Sequence, residues 1–225
     1  MTLPRDQILG RLKSALDREN RPPEAARARL RDRPAGLIPE RGQGAPADRL
    51  ALFAAEAERV EATVARIPGP AALPREVARY LAETNQPPAL RAAQSLADVD
   101  WSSQPMLKVT GGTADGADNC SISRAFGGVA ETGTLVFLSG PDNPTTLNFV
   151  PPTHIAVIRA ADIAGDYEAV WARLRAEAGG GAYMPRTVNW VTGPSRTADI
   201  EQTLLLGAHG PQRLHIVILD DDATP

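Results

Sequence analysis

Three polar segments hold the residue types that could capture a small anion. One is the turn Gly193-Pro194-Ser195-Arg196-Thr197-Ala198-Asp199. Before it, Thr187-Val188-Asn189-Trp190-Val191 is β-branched and aromatic and predicts a strand. Behind it, Ala198 to Leu206 places Ile200, Leu204 and Leu205 at helical spacing, with Thr203 alongside. A strand that stops at glycine and hands over to a helix leaves unpaired backbone N–H groups at the helix N-terminus. With the Arg196 guanidinium, the Ser195 and Thr197 hydroxyls and Asp199 beside it, such a terminus suits a carboxylate or a phosphate. The same residues also fit a plain cap, in which Ser195 and Thr197 close the helix and Arg196 faces solvent.

The second segment, Gly127 to Thr134, sets Glu131, Thr132, Gly133 and Thr134 just before a strand. Glu131 there is a candidate base or carboxylate nucleophile, or simply a carboxylate that satisfies loop N–H groups. The third, Thr110 to Gly116, brings Gly111 and Gly112, whose bare backbone can approach a ligand closely. Of the histidines, His215 lies inside a strand pattern and reads as structural. His154 opens a strand and can reach a cleft, and His209 follows the expected helix ahead of Gly210-Pro211. No HExxH, GxGxxG after the first strand, GxxxxGK[ST] or GxSxG occurs, so the common zinc, nucleotide and serine-hydrolase signatures are missing. Cys120 has no activating partner in sequence and reads as a packed thiol.

These segments need strands and helices to hold them. Leu107–Thr110, Thr134–Leu138, His154–Ile158 and Leu214–Leu219 predict strands, with Ala89–Arg91 a weaker one. Helices are expected over residues 3–19, from Glu24 to Arg31, from Asp48 to Pro68, from Pro74 through Leu81, and from Asp162 to Ala178. Apolar strands separated by helices predict an α/β fold whose mainly parallel sheet is covered on both faces. Ligands in such sheets collect at an edge where strand ends open into loops, and all three polar segments are candidates for it. Residues 1–47 form an N-terminal helix and a Pro/Arg-rich arm, and residues 48–222 the α/β domain.

The chain has 225 residues, 43% of them hydrophobic, enough for one sizeable core. Its formal charge of −3 argues against a general nucleic-acid binder. The charge is uneven, because residues 1–50 hold 11 basic against 7 acidic side chains. A single cysteine excludes an internal disulfide, a cysteine zinc site and an Fe–S cluster built by this chain alone. Without an apolar run long enough for a membrane span or a signal-peptide layout, the expected location is the cytoplasm.

Two stretches go further than chemistry. Ala130-Glu131-Thr132-Gly133-Thr134-Leu135, and Gly193 to Glu201 with Leu206-Gly207-Ala208-His209-Gly210-Pro211, closely resemble the LUD-domain family, in its lactate-utilisation protein C branch. The Pro151-Pro152-Thr153-His154-Ile155 corner fits as well, and the resemblance spans about Leu90 to Leu219. It implies a three-layer fold of the NagB/RpiA/CoA-transferase type. It also implies an accessory role in oxidising L-lactate to pyruvate, beside partner subunits that supply the Fe–S clusters, with no cofactor in this chain. The expected ligand is a small carboxylate or phosphate-bearing anion held by Arg196, the N–H groups after Ser195, and Thr132 or Thr134. Two alternatives stand beside this reading. One is an acyl- or CoA-transferring enzyme with Glu131 as nucleophile, by analogy with the wider fold group, and the other is a pure protein-interaction module.

Overall fold

The apolar runs pair, for the most part, side by side and in the same direction. The computed structural model describes residues 5–15, 23–32, 34–177, 184–197 and 205–220. Its contacts divide the chain into Met1–Ile38 and Pro39–Pro225. The first unit holds helices α1 (Arg5–Ala15) and α2 (Pro23–Asp32). The second begins with α3 (Pro46–Arg59), β1 (Thr63–Ile67), α4 (Leu73–Glu83), β2 (Ala89–Ala92), β3 (Lys108–Gly111) and β4 (Cys120–Arg124). It continues with β5 (Gly127–Val129), β6 (Thr134–Leu138), α5 (Thr146–Phe149), β7 (Thr153–Arg159), β8 (Ile163–Ala164) and α6 (Tyr167–Glu177). It closes with β9 (Val188–Val191), β10 (Arg196–Thr197), β11 (Leu205–Leu206) and β12 (Arg213–Leu219).

Six strands form an all-parallel sheet in the order β1-β12-β7-β4-β2-β3. A strand covered on both faces has no wet side, so β7 is buried from Thr153 through Ile158 and β12 from Leu214 through Leu219. On one face α4 seats Leu73, Val77 and Leu81 against Leu90, Ile122, Ile155 and Val217. On the other, Phe53 and Ala57 of α3 pack with Leu135, Phe137, Ile158 and Ile216. Leu135 and Phe137 belong to a second, four-stranded sheet, β8-β5-β6-β9, in which β6 runs antiparallel to both β5 and β9. The outer face of that sheet is covered by Val170 of α6, with Tyr167 and Trp190 alongside. The three-layer, mainly parallel α/β expectation holds. The Gly127–Thr134 and TVNWV segments, however, build this small second sheet rather than the central one.

Other expectations change. Val64 and Ile67 are in strand β1, not in a helix reaching Pro68. The helix ends at Arg59, Glu61 turns the chain with a φ of 73°, and Thr63 to Ile67 pair with β12. The helix expected from Asp162 starts only at Tyr167, because Ile163 and Ala164 add a short strand beside β5. Strand β4 reads Cys-Ser-Ile-Ser-Arg, too polar to stand out by pattern, yet it lies between β7 and β2. The residues before Asp48 join the second unit from Pro39 onward, where Gln43 donates to Asp166 Oδ2 at 2.9 Å and Arg41 pairs with Glu56 at 3.4 Å.

The largest change is behind the Gly193 turn. Arg196-Thr197 is a strand paired antiparallel with Leu205-Leu206, so the last two residues of the expected Ala198–Leu206 helix are extended ribbon. Residues 198–204, with Asp199, Ile200, Thr203 and Leu204, lie outside the described residues.

Candidate functional site: a cleft at the amino edge of the sheet

The Gly193 turn does form a recess. Gly193 has a φ of 72°, a conformation that L side chains rarely adopt, and it sends the chain from β9 into Pro194 and Ser195. Ser195 is then clamped through its backbone. Its N–H donates to Pro211 O at 2.8 Å, and its carbonyl accepts from Gly207 N–H at 2.9 Å. These two bonds hold the Gly193–Arg196 turn against the His209-Gly210-Pro211 corner. Asn148 and Phe149 of α5, His154 of β7 and Leu214 of β12 close the remaining walls of a cleft of about 260 Å³.

Three segments far apart in sequence therefore meet here. Ser195, Arg196, His154 and His209 all line the cleft. The Ser195 N–H is already bonded and Arg196 sits in a ribbon, so neither offers a free backbone N–H of a helix terminus. What remains for an anion is the exposed Arg196 guanidinium, which among the described residues has no carboxylate partner. Exposed His209 faces the same recess.

His154 is fully buried, and burial pushes its pKa down to about 3, so the ring is neutral at physiological pH. Ser123 Oγ donates to Asn148 Oδ1 at 2.9 Å and lies 2.8 Å from His154 Nε2. A hydroxyl that donates in one direction accepts from the other, which assigns the proton to Nε2. Nδ1 is then a bare acceptor, and it has no protein partner. Ser123 and Asn148 carried no motif in the sequence. Ser123 lies in the strand hidden by its polar composition, and Asn148 in a four-residue helix.

The remaining candidates stand elsewhere. Thr132 and Thr134 do not line the cleft; their hydroxyls bond each other at 2.7 Å and Tyr167 Oη at 3.1 and 3.0 Å. Thr134 also bonds Thr192 Oγ1 at 2.7 Å, and Thr192 is a lining residue, so this cluster braces the wall from behind. Thr197 is in β10 and is not part of the lining. Gly133 has a φ of 64° and sits against the backbone of α3, where an added Cβ would run into Ala57 N. Its role is close packing, not ligand approach. Glu131 is buried at the same hairpin tip, its N–H donating to Gly165 O at 3.2 Å. Burial raises its pKa, Arg41 opposes this and Asp166 adds to it. It does not line the cleft. Gly111 and Gly112 end β3 at the carboxyl edge of the sheet, away from the amino ends of β7 and β12 where the cleft opens.

The two other sequence readings fit the structure. His215 is a structural histidine, with Nε2 3.0 Å from Glu76 Oε1, Nδ1 2.8 Å from Thr63 Oγ1, and its ring stacked 4.0 Å from that of Tyr80. The Cys120 thiol is buried, and desolvation pushes its pKa up to about 12, which keeps it protonated and inert.

A parallel-sheet α/β protein with an Arg- and His-lined cleft is the class that fold and site define. The family model described as the LUD domain matches residues 113–219, which include every lining residue of the cleft. The chain is 32% identical over 109 residues to lactate utilization protein C of Geobacillus thermodenitrificans, an alignment covering 48% of this chain and 45% of that protein. It is 33% identical over 146 residues to lactate utilization protein C of Exiguobacterium sp., covering 64% and 62%. The chain thus spans about half the length of the curated relatives it matches. A crystal structure of a DUF162 family protein from Deinococcus radiodurans superposes with a TM-score of 0.57 at 19% identity, over 78% of this chain and 99% of that one, and so shares the fold. Residues 113–219 thus match the LUD domain, and the chain is similar to proteins of the lactate utilization protein C branch.

No helix among the described residues is long and apolar enough to cross a membrane.

Proposed function

We propose that the chain serves an L-lactate utilisation system as an accessory subunit that binds a small carboxylate in the amino-edge cleft. The observation that carries this reading is the convergence of Arg196, His209 and His154 on one recess. The names of the relatives point to lactate, and a guanidinium suits a carboxylate because its planar fork matches two oxygens at once. A ligand with a hydroxyl beside its carboxylate would also supply the donor that His154 Nδ1 lacks. Oxidation of L-lactate to pyruvate removes two electrons and two protons. In this reading Fe–S partner subunits accept the electrons, since one buried thiol cannot ligate a cluster.

Calorimetric titration with L-lactate and with pyruvate tests the proposal. Saturable binding by the wild type, weakened about tenfold or more in Arg196→Ala, is the expected result. Equal binding by both proteins, or none by either, overturns it. Co-purification with cysteine-rich subunits tests the partnership separately.

A further inference from the structure

We propose that a second cavity, at the carboxyl edge of the parallel sheet, is an oxyanion site for a phosphate group. It does not depend on the amino-edge reading and shares no residue with that cleft. The cavity, about 410 Å³, lies where Ser95 follows β2, Arg124 ends β4 and Arg159 ends β7, with Phe126, Asn143, Asp162 and Arg173 among its walls.

Topology singles out this place. From β2 the chain moves outward to β3, whereas from β4 it moves the other way to β7, so β2 and β4 are neighbours whose onward connections diverge. In open α/β sheets the carboxyl ends of such a pair leave a crevice, because no loop crosses it.

The wall chemistry is that of an anion site. Three arginines and one aspartate line it, while Asp98 and Glu177 pair with Arg124 and Arg173 from outside the lining. Asp162 is shared, accepting from Arg159 Nε at 2.7 Å and from Arg173 Nη1 at 2.7 Å, and so orients two guanidiniums at once. Arg173 is fixed further by stacking 4.3 Å over the Phe126 ring and by bonding Glu177 at 2.8 Å. Arg124 reaches Asp98 only at 3.4 Å.

Three buried polar atoms around this one cavity have no partner: Arg124 Nε, Ser95 Oγ and Asn143 Oδ1. Buried polar groups are nearly always satisfied, and an orphan usually marks a missing water, ion or ligand. Two donors and one acceptor match a phosphate that offers bare oxygens to Arg124 and Ser95 and a hydroxyl to Asn143. Phosphate also carries a charge of about −1.5 to −2 and several acceptor oxygens, which suit guanidinium and hydroxyl donors.

Titration with inorganic phosphate and with glycerol phosphate, followed by calorimetry on the full chain, tests the site. The wild type should bind one equivalent saturably. Arg124→Gln should weaken binding about tenfold or more, while Arg196→Ala should leave it within about twofold. Tighter binding of the ester identifies an esterified ligand, and tighter inorganic phosphate a free one. No saturable binding overturns the proposal, as does binding that falls with Arg196→Ala and ignores Arg124→Gln. Should Arg124→Gln fail to fold, Ser95→Ala, outside any strand, takes its place: severalfold weakening sustains the site and wild-type affinity overturns it.

Discussion

The two edges of the parallel sheet are built by opposite means. At the amino edge, backbone does the shaping: the left-handed Gly193, the clamped Ser195 and the Gly210-Pro211 corner form the recess, and one exposed guanidinium and two histidines furnish it. At the carboxyl edge the shape comes from divergent connections, and three arginines from β4, β7 and α6 furnish the cavity. The first edge is written in contiguous motifs because a backbone conformation depends on neighbours in sequence. The second has no motif, since its residues meet only through strand order. Motif density and charge density therefore mark different places.

Predictions for the two edges separate in size. The largest effect is expected at the hairpin that braces the amino edge. Gly133→Ala forces a side chain into left-handed space and against α3, and should cost about 3 kcal/mol or more in urea denaturation. A loss below about 1 kcal/mol would mean that the hairpin can pull away from α3.

Acid should weaken the amino edge next. His154 has a folded-state pKa of about 3 against 6.5 when solvated, so below pH 6.5 the unfolded state binds a proton that the folded state refuses. Its contribution is complete above pH 6.5 and falls as the pH drops towards 3, by about 2 kcal/mol between pH 7 and pH 5. Denaturation of His154→Gln at both pH values should show that much less acid sensitivity. Equal slopes in the two proteins would assign it to other groups.

Thr134→Val removes the hydroxyl that joins Thr132, Tyr167 and Thr192. It should cost about 1 kcal/mol and weaken carboxylate binding by loosening the wall at Thr192. Unchanged affinity would separate the brace from the cleft. The smallest effect is expected beyond the carboxyl edge, where the exposed pair Arg66–Asp220, 2.7 Å apart, closes β1 to the end of β12. Asp220→Asn should shift stability by less than about 0.5 kcal/mol, and salt should remove the difference.

Much of the fold was legible in advance. The β7 and β12 runs are apolar on both faces, a pattern that only a doubly covered sheet explains. Strand β4 was hidden because Ser121 and Ser123 satisfy their hydroxyls inside the protein, Ser123 against Asn148 and His154. The helix expected over Ala198 to Leu206 had good apolar spacing, yet its last two residues pair with Arg196-Thr197 beside the Ser195–Gly207 bond, and residues 198–204 lie outside the described residues. At Leu205-Leu206 the ladder with Arg196-Thr197 takes the place of local spacing. Of the site candidates, Ser195, Arg196, His154 and His209 share one cleft. Thr132, Thr134 and Glu131 belong to the hairpin behind it, because the turn that holds them packs on α3.

By itself the sequence determined the parallel α/β class, the family wording of the Gly193 and Glu131 stretches, and the inability of one cysteine to hold a cluster. These follow from periodicity, composition and contiguous motifs, which need no partner to be read. The tertiary structure alone decided that the motif turn opens at the amino edge, that Arg196 and His209 share its recess with buried His154, and that three scattered arginines meet at the opposite edge. Those outcomes depend on strand order and register, which bring together residues that the chain itself keeps far apart.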